Sequence, residues 1–170
     1  MVILRRARQE DMRDILRLVS EAQAFMRTLN IDQWQDGYPQ AEVLREDIAL
    51  GQLYVCDDER GVGAMAALSL LPEPIYDDIE GEWRTPGPYL TVHRMALDDA
   101  HRGAGWADRL LEKAVQLAAE HGCVSMRADT HRGNLAMRRF LEKRGFQYCG
   151  WVRYEVEAGD PMRVAYERPL

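Results

Sequence analysis

Arg102-Gly103-Ala104-Gly105-Trp106-Ala107 is the stretch of this chain best suited to hold a ligand. Its two glycines let the backbone turn sharply and leave it uncovered. A helical pattern starts at once behind them, so several N–H groups without partners point outward, and the helix dipole adds partial positive charge. Such a corner takes a phosphate or pyrophosphate. Arg102 and His101 stand at its lip in the sequence. No Lys-Ser/Thr follows the glycines, and the Gly-x-Gly-x-x-Gly fingerprint is absent, so neither a P-loop nor a dinucleotide fold is indicated. A plain strand-to-helix turn would use the same two glycines, and the loop alone does not separate the readings.

The elements on either side must position this loop. Tyr89–Leu97 mixes β-branched, aromatic and long apolar residues, as strands do. After the loop, Trp106, Leu110, Leu111, Ala114, Leu117 and Ala118 repeat at helical spacing, and Gly122 stops the helix. Upstream, residues 2–7 read as a strand, and Met12, Ile15, Leu16, Val19, Ala22, Met26 and Leu29 mark one face of a helix. Asp36-Gly37 and Pro39 make 30–39 a loop, which carries Trp34 and Tyr38. A short helix with Leu44 and Ile48 inward ends at Gly51, and strands follow at 52–56 and 62–70. The proline-rich, acidic stretch 71–88 reads as a long loop beside the central strand, with a short strand near Ile79. A strand at 124–128, a loop at 129–133, a helix capped by Asn134 and a strand pair at 146–155 and 162–167 close the chain. The order implies one domain over residues 1–170, of mixed α/β class, with one mixed sheet and helices on both faces.

Three parts of the chain resemble the GNAT superfamily of N-acyltransferases, in that family's order. Arg-x-x-Gly-x-Ala at 102–107 looks like its acyl-CoA pyrophosphate loop. Asn134, Met137 and Glu142-Lys143-Arg144-Gly145-Phe146 resemble the next helix, and Leu4-Arg5-Arg6-Ala7 with Glu10-Asp11 resembles the first strand and helix. Gln33-Trp34-Gln35-Asp36-Gly37-Tyr38-Pro39 resembles one bacterial subgroup. The resemblance implies an acyl-CoA-dependent N-acetyltransferase with acetyl-CoA as co-substrate. It also implies a splay between the fourth strand, from Tyr89, and the fifth, from Val124, with acyl-CoA wedged in the gap.

Residue by residue, the resemblance assigns the pyrophosphate cradle to Arg102, Gly103, Ala104, Gly105, Trp106 and Ala107, through backbone N–H groups. It pairs the backbone of Met95, Ala96 and Leu97 with the pantetheine arm, and the Leu97 N–H would hold the developing oxyanion. Asn134 would contact CoA as well as cap its helix. His93 precedes Met95 by two residues and is expected on the same strand face, where family members often place a general base. A neutral His accepts a proton near pH 7, although a half-buried His bonded to backbone fits the residues equally. Arg94 is expected on the other face, paired with Asp129 or a nearby Glu. One position departs from the family: Leu141 stands where many members carry the Tyr that protonates the leaving thiolate, and Tyr148 and Tyr154 match no motif. Trp34 and Tyr38 are the candidate acceptor-binding residues; the aromatics and acids of 71–88 are less specific, and its acids suit a solvated face.

Composition narrows the partners. A net charge of −6 on 170 residues disfavours nucleic acid and anionic membranes. No apolar run approaches a membrane span, and no signal core follows Arg5, Arg6 and Arg8. Cys56, Cys123 and Cys149 lack Cys-x-x-Cys spacing and read as reduced thiols of a cytoplasmic protein, and the scattered His speak against a metal site. The expected partner is a small-molecule or peptide amine, and a homodimer is allowed but not demanded. Two functions compete: an N-acetyltransferase working by direct attack on the thioester, and a non-catalytic acyl-CoA-binding sensor, for which Leu141 is the best support.

Overall fold

In the computed structural model, which describes residues 1–170, the first half of the chain runs through β1 (Ile3–Arg6), α1 (Met12–Thr28), α2 (Ala41–Ala49), β2 (Leu53–Asp58) and β3 (Gly61–Ser69). A two-residue β4 (Glu80–Gly81) precedes β5 (Tyr89–Leu97), α3 (Trp106–Glu120), β6 (Ser125–His131), α4 (Leu135–Lys143), β7 (Gln147–Arg153) and β8 (Met162–Pro169). All the strands join one mixed sheet, in the order β1-β2-β3-β5-β6-β8-β7-β4. Only β5 and β6 pair in parallel. The short strand near Ile79 exists, but it pairs with β7 at the far edge of the sheet instead of lying beside β5.

Helices cover both faces, and β3 shows why. Its Ala64, Ala66 and Leu68 pack with Leu90, Leu110 and Leu141 on the α3–α4 side, whereas Met65 and Ala67 pack with Ile15, Leu18 and Leu44 on the α1–α2 side. A strand covered on both faces reads as a continuous apolar run, as 62–68 does. On α1 the stripe is rotated from the expected one. Leu18 is buried, while Leu16 and Leu29 are 39% and 48% exposed, because α1 centres Ile15, Leu18, Val19 and Met26 on the sheet.

The expected splay is present. β5 pairs with β6 only from Tyr89↔Ser125 to Thr91↔Arg127. Beyond that point β5 stays on β3 to Leu97, while β6 stays on β8 to His131, so a gap opens between them. β6 also runs further than expected. Asp129, Thr130 and His131 are strand, not loop, since pairing with Ala165, Val164 and Arg163 outweighs their polar character.

The long loop before β5 is pinned by one buried carboxylate. Glu167 is fully buried and accepts from the Arg84 N–H, Thr85 and Ser125 hydroxyls and Arg127 Nε. The Arg127 guanidinium lies between the Trp83 and Tyr89 rings, 4.1 and 4.0 Å from their centroids. Burial pushes the Glu167 carboxyl up, but donors on Ser125, Thr85 and Arg127 outweigh it and hold the group below the usual range. A depressed carboxyl contributes stability above its unfolded value of about 4.3 and loses it as pH falls through the folded value. Glu167→Ala leaves Arg127 buried without its anion and is expected to cost about 3–5 kcal/mol. Urea titrations at pH 7 and pH 3.5 check both points: the variant unfolds earlier at pH 7, and its deficit narrows at the lower pH. No helix is long and apolar enough to cross a membrane.

Candidate active site

The gap between β5 and β6 widens into a cavity of about 1070 Å³. One end is walled by Arg102, Ala107, Asn134 and Phe140, the other by Trp34, Tyr38, His93, Asp129 and Tyr154. At the first end, Gly103 and Gly105 hold left-handed φ values of 75° and 78°, and a Cβ on either would meet nothing within 4 Å. The N–H groups of Gly105, Trp106, Ala107 and Asp108 meet no acceptor in the chain. This bare, donor-rich corner fits a pyrophosphate. Trp106 turns its side chain into the core, 5% exposed, and stacks on His101 at 3.7 Å.

His101 is therefore not at the lip of the loop but behind it. Its Nδ1–H donates to Asp98 at 2.6 Å, which leaves Nε2 to accept from Arg60 at 2.7 Å. Arg102 does stand at the lip, over the Phe25 ring at 4.6 Å and paired with Asp99. Asn134 Oδ1 accepts the Met137 N–H and caps α4, so its amide hydrogens remain for a ligand in the cavity.

The middle of β5 is irregular. His93 pairs with Ala67 but Ala96 pairs with Met65, so Arg94 and Met95 together oppose Ala66. This is a β-bulge, and Arg94 takes the left-handed φ of 50°. The extra residue reverses the alternation of side chains. Met95 and Leu97 pack on the α3–α4 side with Leu90 and Val92, while Ala96 packs on the α1–α2 side. His93 and Met95 thus lie on opposite faces, which corrects the shared face expected from their spacing. Arg94, expected on the face away from His93, joins it on the α1–α2 side. Its partner is Asp47 of α2, not Asp129 or a Glu: Nε and Nη2 reach the two carboxylate oxygens at 2.6 and 2.7 Å. Arg94 Nη1 also donates to the Tyr38 hydroxyl at 2.8 Å.

One donor and one acceptor now face the gap. Asp98 gives its N–H to Gly63 at 2.9 Å, so strand alternation turns the Leu97 N–H the other way, toward the opening. His93 Nε2 lies 3.2 Å from Glu73 Oε2. The hydrogen bond to His93 holds the Glu73 carboxyl below its usual range despite burial. With Glu73 ionised, Nε2 carries the hydrogen and Nδ1, which has no partner in the chain, offers its lone pair to the cavity.

Across the opening, Asp129 Oδ2 accepts from the Tyr76 and Tyr154 hydroxyls at 2.7 and 2.9 Å. Trp34 and Tyr38 meet edge to face at 6.5 Å. Leu141 is buried in the core and Tyr148 is exposed outside the cavity, so neither supplies an acid there. Asp77, Glu80 and Glu82 are exposed away from the cavity, and Trp83 packs on Tyr76 behind it.

The family model described as Acetyltransferase (GNAT) family matches residues 10–146. A GNAT-family acetyltransferase of Streptococcus agalactiae superposes with a TM-score of 0.83 over 99% of this chain and 95% of its own, at 34% identity. The chain belongs to the GNAT acetyltransferase family. At 15% identity, the PaiA N-acetyltransferase of Thermoplasma acidophilum, solved with coenzyme A, shares the fold with a TM-score of 0.74 over 100% of this chain and 99% of its own. The ribosomal-protein-S18-alanine N-acetyltransferase of Escherichia coli does so with a TM-score of 0.68 over 99% and 94%, at 14% identity. No curated protein matches the chain in sequence.

Membership in the GNAT acetyltransferases makes the chain an enzyme and displaces the non-catalytic sensor reading. Three groups in or behind the cavity had no site role in the sequence reading: Glu73 behind His93, and Asp129 with Tyr154 across from it. Each comes from a separate element far along the chain, and only the sheet brings them together. Glu73 carried a faint signal, as an acid between two prolines just ahead of the central strand.

Proposed function

We propose that this acetyltransferase moves the acetyl group of acetyl-CoA to a primary amine by direct attack on the thioester. The observation that carries this reading is the His93–Glu73 pair, placed where β5 parts from β6. The loop at 102–107 and Asn134 hold the phosphate end, and the backbone of Met95 and Leu97 lines the gap. An amine arrives as an ammonium. His93 Nδ1 takes its proton, and the freed lone pair attacks the carbonyl carbon of the thioester. The Leu97 N–H donates to the developing oxyanion. The C–S bond then breaks, its electron pair leaves on sulfur as the thiolate, and the amide nitrogen gives up its second proton to solvent.

The cysteines support a route without an acyl-enzyme. None lines the cavity, and burial pushes the Cys56 thiol up to about 11 and raises those of Cys123 and Cys149. Unpaired thiols also agree with a cytoplasmic setting. The test is thiol release from acetyl-CoA with a panel of small amines, amino-acid amides and peptides bearing free N-termini, with mass spectrometry of the products. Acetylated product from at least one member is expected. A chain that binds acetyl-CoA yet releases no thiol above background with any of them would overturn the proposal.

A further inference from the structure

Asp129 faces the cavity without a cationic partner. Asp11, Asp47, Glu73, Asp98 and Glu167 each have an arginine or histidine within reach, but no cation pairs with Asp129. Arg94, which the sequence offered as its partner, is held by Asp47. Oδ2 of Asp129 is taken by two tyrosine hydroxyls, while Oδ1 accepts nothing from the chain. Burial first, and Asp129 second, raise the hydroxyls of Tyr76 and Tyr154 well above the usual tyrosine value, so both stay neutral donors to Asp129. A half-buried carboxylate without a counter-ion is unfavourable, and a cation brought by a ligand relieves it.

Its place in the sheet is specific. Thr91↔Arg127 is the last pair before the gap. Two residues on, His93 and Asp129 reach the same side of the two parting strands. Tyr76 links them, with its hydroxyl on Asp129 and its ring 6.3 Å from that of His93. Trp34, Tyr38 and Tyr154 line the same end of the cavity and suit the body of a cationic ligand.

We infer that Asp129 selects the acceptor by binding its reacting nitrogen in the ammonium form, beside the His93 that removes the proton. This deepens the transfer reading above and rests on it. The ligand class is a primary ammonium, from either a small amine or a peptide N-terminus; alcohols and amides of the same shape are excluded. Tyr76 and Tyr154 fix the carboxylate so that Oδ1 points the nitrogen at the gap, which makes Asp129 a binding group and the tyrosines positioning residues.

The experiment compares two matched pairs of probes by ligand-observed NMR, which reads millimolar binding. Phenethylamine is set against 2-phenylethanol, and phenylalanine amide against N-acetylphenylalanine amide. The wild-type chain is expected to bind the ammonium member about tenfold more tightly, as a charge-assisted hydrogen bond requires. Preference in one pair alone still supports the assignment and tells a small amine from a peptide end. In Asp129→Asn the preference falls to about parity, because Asn keeps one carbonyl oxygen for both tyrosine hydroxyls but loses the charge. Parity in the wild type, or a preference that survives in the variant, overturns the inference. Calorimetric titration of the same samples with acetyl-CoA separates the two proposals. Ammonium preference without acetyl-CoA binding sinks the transfer reading alone, and acetyl-CoA binding without preference sinks the Asp129 assignment alone.

Discussion

Gly105→Glu is expected to weaken acetyl-CoA binding about a hundredfold or more while the chain stays folded, one of the two largest effects the structure implies. The change has two parts that a second variant separates. Gly105 sits at a φ of 78°, so any side chain costs about 1 kcal/mol in backbone strain. Gly105→Ala carries that strain and nothing more, because its Cβ enters open space. The carboxylate of Glu adds a negative charge where the N–H groups of residues 105–108 converge. It repels a pyrophosphate and competes for the same donors. Calorimetric titration with acetyl-CoA is expected to show Ala within about tenfold of wild type and Glu weaker by about a hundredfold or more, or about 2.7 kcal/mol. Equal weakening in the two variants would show that strain, not charge, governs the loop. Unchanged affinity in both would mean that the cofactor lies elsewhere.

The loop was legible because its signals are local. Two glycines, a strand before and a helical stripe behind suffice, and the structure places them as the pattern indicates. The face of His93 was not legible. A bulge adds one residue to one strand, and here the left-handed position is filled by Arg94, a type that rarely occurs there. Nothing in His-Arg-Met-Ala-Leu announces it. Ion pairing with helix α2 accounts for the conformation: bidentate contact with Asp47 and a third bond to Tyr38 hold Arg94 where regular pleating would turn it away. The bulge turns Arg94 to the side that Asp129 also occupies, but Asp47 takes the arginine and leaves Asp129 facing the cavity. Polar residues at the end of β6 read as a loop for a related reason. Their strand state depends on β8, more than thirty residues later, and not on their own propensities. Fold class and the strand–loop–helix turn at 102–107 follow from periodicity and glycine spacing; the grouping of Glu73, His93 and Asp129 follows from contacts that no short window contains.

His93→Ala is the second large effect. Removing a positioned general base costs about a hundredfold to ten-thousandfold in kcat/KM, and acetyl-CoA affinity should not change, since His93 lies at the far end of the cavity from Asn134 and Arg102. The pH dependence distinguishes proton removal from a packing role. A primary amine with a pKa near that of lysine, about 10.4, is almost wholly protonated at pH 7. Without His93 the reaction depends on the small fraction of free amine, which rises about tenfold for each unit of pH below that value. The gap between wild type and His93→Ala should therefore narrow steadily from pH 7 to pH 9. Glu73→Gln should fall between them. It removes the charge behind Nε2 but keeps a hydrogen-bond acceptor, so the productive tautomer of His93 is favoured less strongly. A gap that stays constant across this range, with Glu73→Gln behaving as wild type, would reduce His93 to a structural residue of the strand and leave proton removal to water in the cavity.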